Sequence, residues 1–177
     1  MVVIAISGLA GSGTSTLAKM LAEKLGLKYF SPGEYFKSHS SGRNETERVM
    51  DVFQSGKGLD KDFHKKIDEM QINLAKKGNI VICGKLSILM LKDIADYKIW
   101  IECDLEERAR RTAKRDGIRF EDALKALKQR EKLQLKEWKK DYGIDYTTQK
   151  KMADIVIDNT NLNERQVFEK VIELIKR

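Results

Sequence analysis

A glycine-rich segment near the amino terminus constrains the fold more than any other feature of the sequence. It reads Gly8-Leu9-Ala10-Gly11-Ser12-Gly13-Thr14-Ser15-Thr16. The segment follows an apolar, β-branched run from Val2 to Ser7 and opens a stretch with the apolar spacing of a helix. A glycine loop between a strand and a helix is the context of the pattern G-x-x-x-x-G-K-[ST], whose backbone N–H groups hold phosphates at the positive end of the helix. We therefore predict a phosphate-binding loop that holds ATP at residues 8–16.

The loop departs from this pattern at Thr14, where the motif has a lysine that bridges the β and γ phosphates. Threonine offers a hydroxyl group but no charge. Ser15 keeps the hydroxyl group that can ligate Mg²⁺, an ion that prefers oxygen ligands. Two interpretations follow: a basic residue elsewhere supplies the missing charge, or the protein binds nucleotide and turns it over poorly.

Apolar β-branched runs alternate with helical patterns along the whole chain, which is typical of an α/β fold with a parallel sheet. The predicted strands are Val2 to Ser7, Lys28 to Phe30, Asn79 to Cys83, Tyr97 to Cys103 and Ala153 to Asp158. The predicted helices are Thr14 to Leu25, Asp60 to Lys77, Leu105 to Arg115, Phe120 to Lys140 and Asn163 to Lys176. With the glycine loop, this pattern predicts a three-layer P-loop NTPase fold with five parallel strands, for which we expect the order 2-3-1-4-5.

Two charge-rich segments do not contribute to the sheet: residues 33–77, the first insertion, and residues 108–145, the second insertion. Both insertions follow the carboxyl ends of predicted strands, which is where ligands bind in open α/β sheets. Insertions placed there can fold over a substrate. We predict one domain, residues 1–177, that carries both insertions.

Composition excludes several classes of protein. No apolar run approaches the roughly 18 residues that a membrane span needs, and the amino terminus lacks the basic region of a signal peptide. The net charge of +7 is spread along helices and interleaved with acidic residues, which is typical of solvated faces and not of a nucleic-acid surface. We expect a cytoplasmic monomer that binds neither membrane nor nucleic acid.

The two cysteines, Cys83 and Cys103, end the third and fourth strands and lack the spacing of a metal site. In the predicted order these strands flank the first strand, so they lie roughly 10 Å apart at about 4.8 Å per strand. A disulfide bond between them is out of reach.

Several further motifs occur in one order along the chain. They are Ser31-Pro32-Gly33-Glu34-Tyr35-Phe36-Lys37, Ile67-Asp68-Glu69-Met70-Gln71, the spaced arginines Arg108, Arg111 and Arg115, Arg130-Glu131, Tyr142-Gly143-Ile144-Asp145, and Ala153-Asp154-Ile155-Val156-Ile157. Together with the glycine loop, this series resembles the archaeal type of cytidylate kinase, in the nucleoside monophosphate kinase group. The resemblance extends almost from end to end.

The resemblance implies transfer of a phosphoryl group from ATP, with Mg²⁺, to CMP or dCMP. It also implies that the first insertion binds the acceptor and that the second insertion is a lid. By the same resemblance Thr14-Ser15-Thr16 is a family trait, since Thr-Thr-Thr is common there. The implied acceptor-binding residues are Ser31, Lys37, Asp68 and Lys85; the implied catalytic residues are Arg111, Arg115 and Arg130; and the implied metal ligand is Ser15.

The sequence departs from the family pattern at three places. Cys83-Gly84-Lys85 stands where the family has an acidic residue, glycine and arginine; Lys37 replaces an arginine; and Lys136-Glu137 replaces a basic pair. Arginine grips phosphate with a bidentate fork, whereas lysine acts as a point charge. Two alternatives therefore remain beside CMP phosphorylation: a kinase for another nucleotide or nucleoside, and a nucleotide-binding regulator with little turnover.

Overall fold

The computed structural model describes residues 1–56 and 60–175. Its strands are β1 (Val3–Gly8), β2 (Lys28–Phe30), β3 (Ile80–Cys83), β4 (Tyr97–Glu102) and β5 (Ile155–Asp158). Its helices are α1 (Thr14–Leu25), α2 (Pro32–Lys37), α3 (Glu45–Gln54), α4 (Lys61–Lys76), α5 (Ser87–Met90), α6 (Leu105–Asp116), α7 (Phe120–Tyr142) and α8 (Glu164–Ile175), with a 3-10 helix at Tyr146–Met152. The five predicted strands and five predicted helices are all present, each within two residues of its predicted ends where the structure describes them.

The five strands form one parallel sheet in the order β2-β3-β1-β4-β5, which confirms the predicted fold class. Every residue of the central strand β1 is buried, as expected for a strand covered on both faces. Strand β5 lies at an edge and alternates instead, with Ile155 and Ile157 buried and Val156 exposed. Ile6 of β1 pairs with Cys83 on one side and Ile99 on the other. This register separates the two cysteines, and both are free and buried.

Helices cover both faces of the sheet and complete the three layers. On one face, Leu17 and Leu21 of α1 pack with Val167 and Val171 of α8 against the strands. The opposite face is covered by residues of α4, α5, α7 and the 3-10 helix, including Ile88, Trp138 and Tyr146. The layers leave the carboxyl ends of the strands free for the loops and insertions described next.

The first insertion contains helices that the sequence did not predict. Helix α2 begins at Pro32, which follows Ser31; the Ser31 hydroxyl oxygen accepts a hydrogen bond of 3.1 Å from the Glu34 amide and so caps the helix. Helix α3 begins in the same way after Asn44. Helix α2 is short and has no buried residue, so its apolar periodicity is too weak to predict it. Helix α3 buries Val49, Val52 and Phe53 at helical spacing, a pattern that the sequence analysis missed.

The two insertions contact each other at the tip of the second. The Thr46 hydroxyl and amide at the start of α3 donate hydrogen bonds of 2.5 and 3.1 Å to one carboxylate oxygen of Asp116 at the end of α6. Part of the first insertion (residues 57–59) and the predicted end of the last helix at Lys176 lie outside the described residues. Within the described ranges, no helix combines the length and apolarity needed to cross a membrane.

Candidate functional site

A cavity of about 860 Å³ opens at the carboxyl ends of the strands. Its walls come from the glycine loop, both insertions and the segment after β5. Of the residues predicted from the sequence, the following line it: Gly8, Leu9, Ala10, Gly11, Gly13, Thr14, Ser15, Thr16, Ser31, Lys37, Lys85, Arg111, Arg115 and Arg130. Ser12 and Asp68 do not. The cavity therefore brings together nearly all of the residues that the sequence suggested.

The glycine loop has the backbone shape that phosphate binding requires. Gly11 and Gly13 have φ angles of 78° and 87°, in the left-handed region that favours glycine. Gly8 is needed for a different reason, because a Cβ atom there would lie 2.2 Å from the Ile101 carbonyl oxygen. Ser12 turns away from the cavity, and its hydroxyl group donates a hydrogen bond of 2.8 Å to the Leu9 carbonyl. Ser12 thus stabilises the conformation of the loop from the side that faces away from the cavity.

Arg108 braces the same loop from the second insertion. This buried side chain donates hydrogen bonds to the Ala10 carbonyl (3.0 Å), the Cys103 carbonyl (2.9 Å) and the Glu131 carboxylate (2.5 Å). Unlike Arg111 and Arg115, it does not line the cavity. Its contacts join the loop, the end of β4 and helix α7 through one guanidinium group.

Lys85 follows β3 and lies at the base of the cavity, beside the glycine loop. Its ammonium group donates a hydrogen bond to the Gly8 carbonyl and lies 5.5 Å from the centre of the Tyr146 ring. Burial lowers the pKa of Lys85 well below its usual value, and the neighbouring Arg130 guanidinium lowers it further. The lysine is therefore a poorly solvated cation without an anionic hydrogen-bond partner in the described contacts, a state that a phosphate group would relieve.

Three of the predicted cations surround Glu45, the first residue of α3, which the sequence analysis did not single out. The Glu45 carboxylate lies 3.0 Å from the Lys37 ammonium nitrogen and 3.1 Å from the Arg115 guanidinium. Burial alone would raise the pKa of Glu45, but the charges of Lys37 and Arg115, with a smaller contribution from Arg130, hold it below its usual value. Arg130 itself is half-buried, and its Nε has no hydrogen-bond partner.

The segment after β5 forms the far wall of the cavity and was also missed by the sequence analysis. Residues 159–164 line the cavity, and the side-chain amide of Asn159 donates a hydrogen bond of 2.7 Å to the Ser12 carbonyl. Arg111 donates to the Asn159 carbonyl (2.9 Å) and side-chain oxygen (3.1 Å) and pairs with Glu107 at 3.0 Å. The rule that ligands bind at the carboxyl ends of strands would have included this segment, since it leaves β5 at the same edge.

Asp68 is the predicted acceptor residue that the structure places elsewhere. Its carboxylate accepts hydrogen bonds from the Tyr142 hydroxyl and, at 2.9 Å, from the Gln71 amide. Gln71 in turn accepts a hydrogen bond of 2.9 Å from the Ser87 hydroxyl. These contacts join the first insertion to the end of the second and to α5. In this structure Asp68 holds elements together and is not part of the cavity lining.

The residues at the loop fit a magnesium ion that is bound chiefly by nucleotide phosphates. The described ranges hold no cluster of three or more acidic, histidine or cysteine side chains that could ligate a metal. The Ser15 hydroxyl lines the cavity. Asp104, which follows β4 and could offer a carboxylate to a metal, is not part of the lining. Burial raises the pKa of the neighbouring Cys83 thiol to about 11, so it stays protonated and is a poor ligand. The Ser15 hydroxyl, at the position that the loop motif reserves for the metal ligand, is thus a protein oxygen that fits Mg²⁺ here.

Comparisons with known proteins point to one family. Residues 3–161 match the model of the cytidylate kinase-like family. The chain is 36% identical to the "Cytidylate kinase" of Methanopyrus kandleri over 94% of this chain and 89% of that protein. It is 39% identical to that of Thermococcus kodakarensis (94% and 83% covered) and 35% identical to that of Ignicoccus hospitalis (100% and 98% covered).

Solved structures agree on the fold. An uncharacterized protein from Eubacterium ventriosum superposes with a TM-score of 0.70 at 19% identity, with 99% of both chains covered. Shikimate kinase from Bacteroides thetaiotaomicron superposes with a TM-score of 0.64 at 17% identity, again with 99% of both chains covered. At these identities the similarity concerns the architecture alone.

Proposed function

The chain belongs to the cytidylate kinase-like family, and from that membership we propose that it is a phosphotransferase that moves the terminal phosphoryl group of ATP to CMP or dCMP. The observation that carries the proposal is the cavity, in which a glycine loop faces a set of cations from both insertions. Phosphoryl transfer needs this combination, because positioning and charge stabilisation supply most of the catalysis.

The strand order supports a proposed side of the cavity for each substrate. The phosphates of ATP would lie in residues 8–16, after the central strand β1. Ser31 and Lys85 follow β2 and β3 on one side of β1, and Lys37 lies on the same side in α2. Residues 159–164 follow β5 at the opposite edge. We therefore assign the acceptor to the β2–β3 side and the nucleoside of ATP to the β4–β5 side.

In the proposed reaction a phosphate oxygen of CMP attacks the γ phosphorus, the bond to the β,γ-bridging oxygen breaks, and ADP leaves with its electron pair. Bound Mg²⁺ would neutralise charge on the donor phosphates, and the Ser15 hydroxyl is the protein group that fits it. Lys37 and Lys85 would hold the attacking phosphate. Arg130 would stabilise charge on the group in transfer, Arg115 would contact both that group and the acceptor phosphate, and Arg111 would support the donor side.

No catalytic base is needed, since a phosphate acceptor is already ionised at neutral pH. Lys85, which we assign to the acceptor, also brings a positive charge next to the glycine loop, because its ammonium group contacts the Gly8 carbonyl. A cation at this point can serve the acceptor and the transferred group together. This contact favours an active kinase over a regulator without turnover.

The test is a coupled assay for ADP release with ATP, Mg²⁺ and a panel of acceptors: CMP, dCMP, UMP, AMP, GMP and cytidine. We expect release to depend on CMP or dCMP and to be fastest with them. An Arg130→Met variant should lose most of this activity and keep its affinity for ATP. A panel with no CMP-dependent release, or with faster release for another acceptor, would refute the proposed substrate.

A further inference from the structure

Glu45 has an unusual position for an acidic residue in a site built to bind anions. It is the only carboxylate that lines the acceptor side of the cavity among the described residues, and it contacts Lys37 and Arg115 directly. The side chains of Lys37 and Glu45 are only 16% and 32% exposed, so their attraction is stronger than that of an ion pair on the surface. These cations are the ones that the acceptor phosphate would need.

We propose that Glu45 is a displaceable internal anion, which occupies the phosphate end of the acceptor site when no acceptor is bound and competes with the acceptor's phosphate for Lys37 and Arg115. The inference rests on the proposed function. Replacement of the Glu45 carboxylate by the acceptor's phosphate is favoured by charge. A nucleotide phosphate carries nearly two negative charges and three oxygens, whereas a carboxylate carries one charge and two oxygens.

The structure also explains how Arg115 stays in place after the exchange. Asp116, the next residue, holds the Arg115 guanidinium from behind through two hydrogen bonds of 2.7 and 2.8 Å. The same carboxylate accepts the hydrogen bonds from Thr46. Departure of Glu45 therefore breaks one link between the two insertions and leaves the Thr46–Asp116 link intact. The acceptor phosphate would meet a cation that is already oriented.

Glu45→Gln tests the proposal, because glutamine keeps the size of the side chain and removes its charge. Glu47→Gln is the matched control: Glu47 lies in the same first turn of α3, pairs with Arg43, and does not line the cavity. Both variants remove one carboxylate from the same helix terminus, so effects of the helix dipole are equal. Affinities are measured by calorimetry with a non-hydrolysable ATP analogue filling the glycine loop, for three probes: CMP, cytidine and orthophosphate.

We expect Glu45→Gln to bind CMP and orthophosphate about three- to tenfold more tightly than the unmodified protein, in line with the value of a partly buried ion pair. Cytidine, which has no phosphate, should bind equally to both, and Glu47→Gln should behave as the unmodified protein. Unchanged or weaker binding of CMP and orthophosphate would overturn the proposal, as would an equal gain for cytidine.

Failure of the inference and failure of the proposed function give different results. If the unmodified protein does not phosphorylate CMP but Glu45→Gln gains affinity for orthophosphate, the substrate is wrong and the internal anion stands. If CMP is phosphorylated but Glu45→Gln shows no gain for either phosphate probe, the substrate stands and the internal anion is refuted.

Discussion

Replacement of Lys85 by methionine separates the two roles that its position allows. Methionine keeps an unbranched side chain of similar length and removes the ammonium group, which bonds the Gly8 carbonyl and lies near Arg130. We assign this cation to the acceptor phosphate, since it follows β3 on the acceptor side of the sheet. Loss of a charged hydrogen bond of this kind is worth about 1.5 to 3 kcal/mol.

Lys85→Met should therefore raise the Michaelis constant for CMP roughly 10- to 100-fold, since about 1.4 kcal/mol corresponds to a factor of ten. The constant for ATP should change by less than about threefold. The measurement is steady-state kinetics with each substrate varied at saturation of the other, and Lys92→Met, an exposed lysine outside the cavity, is the control. An unchanged CMP constant would mean that Lys85 does not bind the acceptor. An equal rise for ATP would mean that it replaces the missing lysine of the loop.

The same variant has a pH signature. Burial and the charge of Arg130 lower the pKa of Lys85 in the folded protein, whereas the unfolded chain keeps a value near 10.5. Between these two values the unfolded state binds more protons, so Lys85 makes the free energy of unfolding increase with pH in this window. In urea titrations, the stability of the unmodified protein relative to Lys85→Met should rise as pH increases toward 10.5. A flat or falling difference would show that the ammonium group is not destabilised by burial.

Two further substitutions test the glycine loop and its brace. Gly13→Val should abolish ATP binding in calorimetry, because the φ angle of 87° is strained for a β-branched residue; retained α-helical circular dichroism is the control, and unchanged affinity would refute the placement of ATP. Glu131→Gln should lower the free energy of unfolding by about 3 kcal/mol, because it leaves the buried charge of Arg108 unpaired, and denaturant titration measures it. A loss below about 0.5 kcal/mol would mean that the pair acts like one on the surface.

The features that could be predicted from the sequence are those encoded locally. The apolar runs around Ile6, Ile82 and Ile101 identify buried strands without reference to the rest of the chain, and the parallel α/β class follows from their alternation with helices. The glycine loop is likewise contiguous, since residues 8–16 carry both its turn and its helix start. The cavity lining near these elements was therefore predicted well.

The missed or misplaced residues depend on contacts across long sequence separations. Glu45 has no motif, and it became part of the site only because α3 packs beside α6, which brings Arg115 to it. Asn159 contacts Ser12, 147 positions away. Asp68, which the family motif suggested for acceptor binding, lies outside the cavity lining, and its carboxylate accepts a hydrogen bond from the Tyr142 hydroxyl, 74 positions away. Patterns of local spacing carry no information about such partners.

The brace at Arg108 determines how the second insertion can move. Helix α6 is anchored at Arg108 to the loop and to α7, and its tip at Asp116 lies eight residues beyond, about 12 Å at 1.5 Å per residue. The helix is thus a lever with a fixed base, in which a rotation of about 10° displaces the tip by about 2 Å. Such a displacement is enough to break both contacts of the tip with the first insertion, Arg115 with Glu45 and Asp116 with Thr46, while the phosphate-binding loop next to Arg108 stays in place.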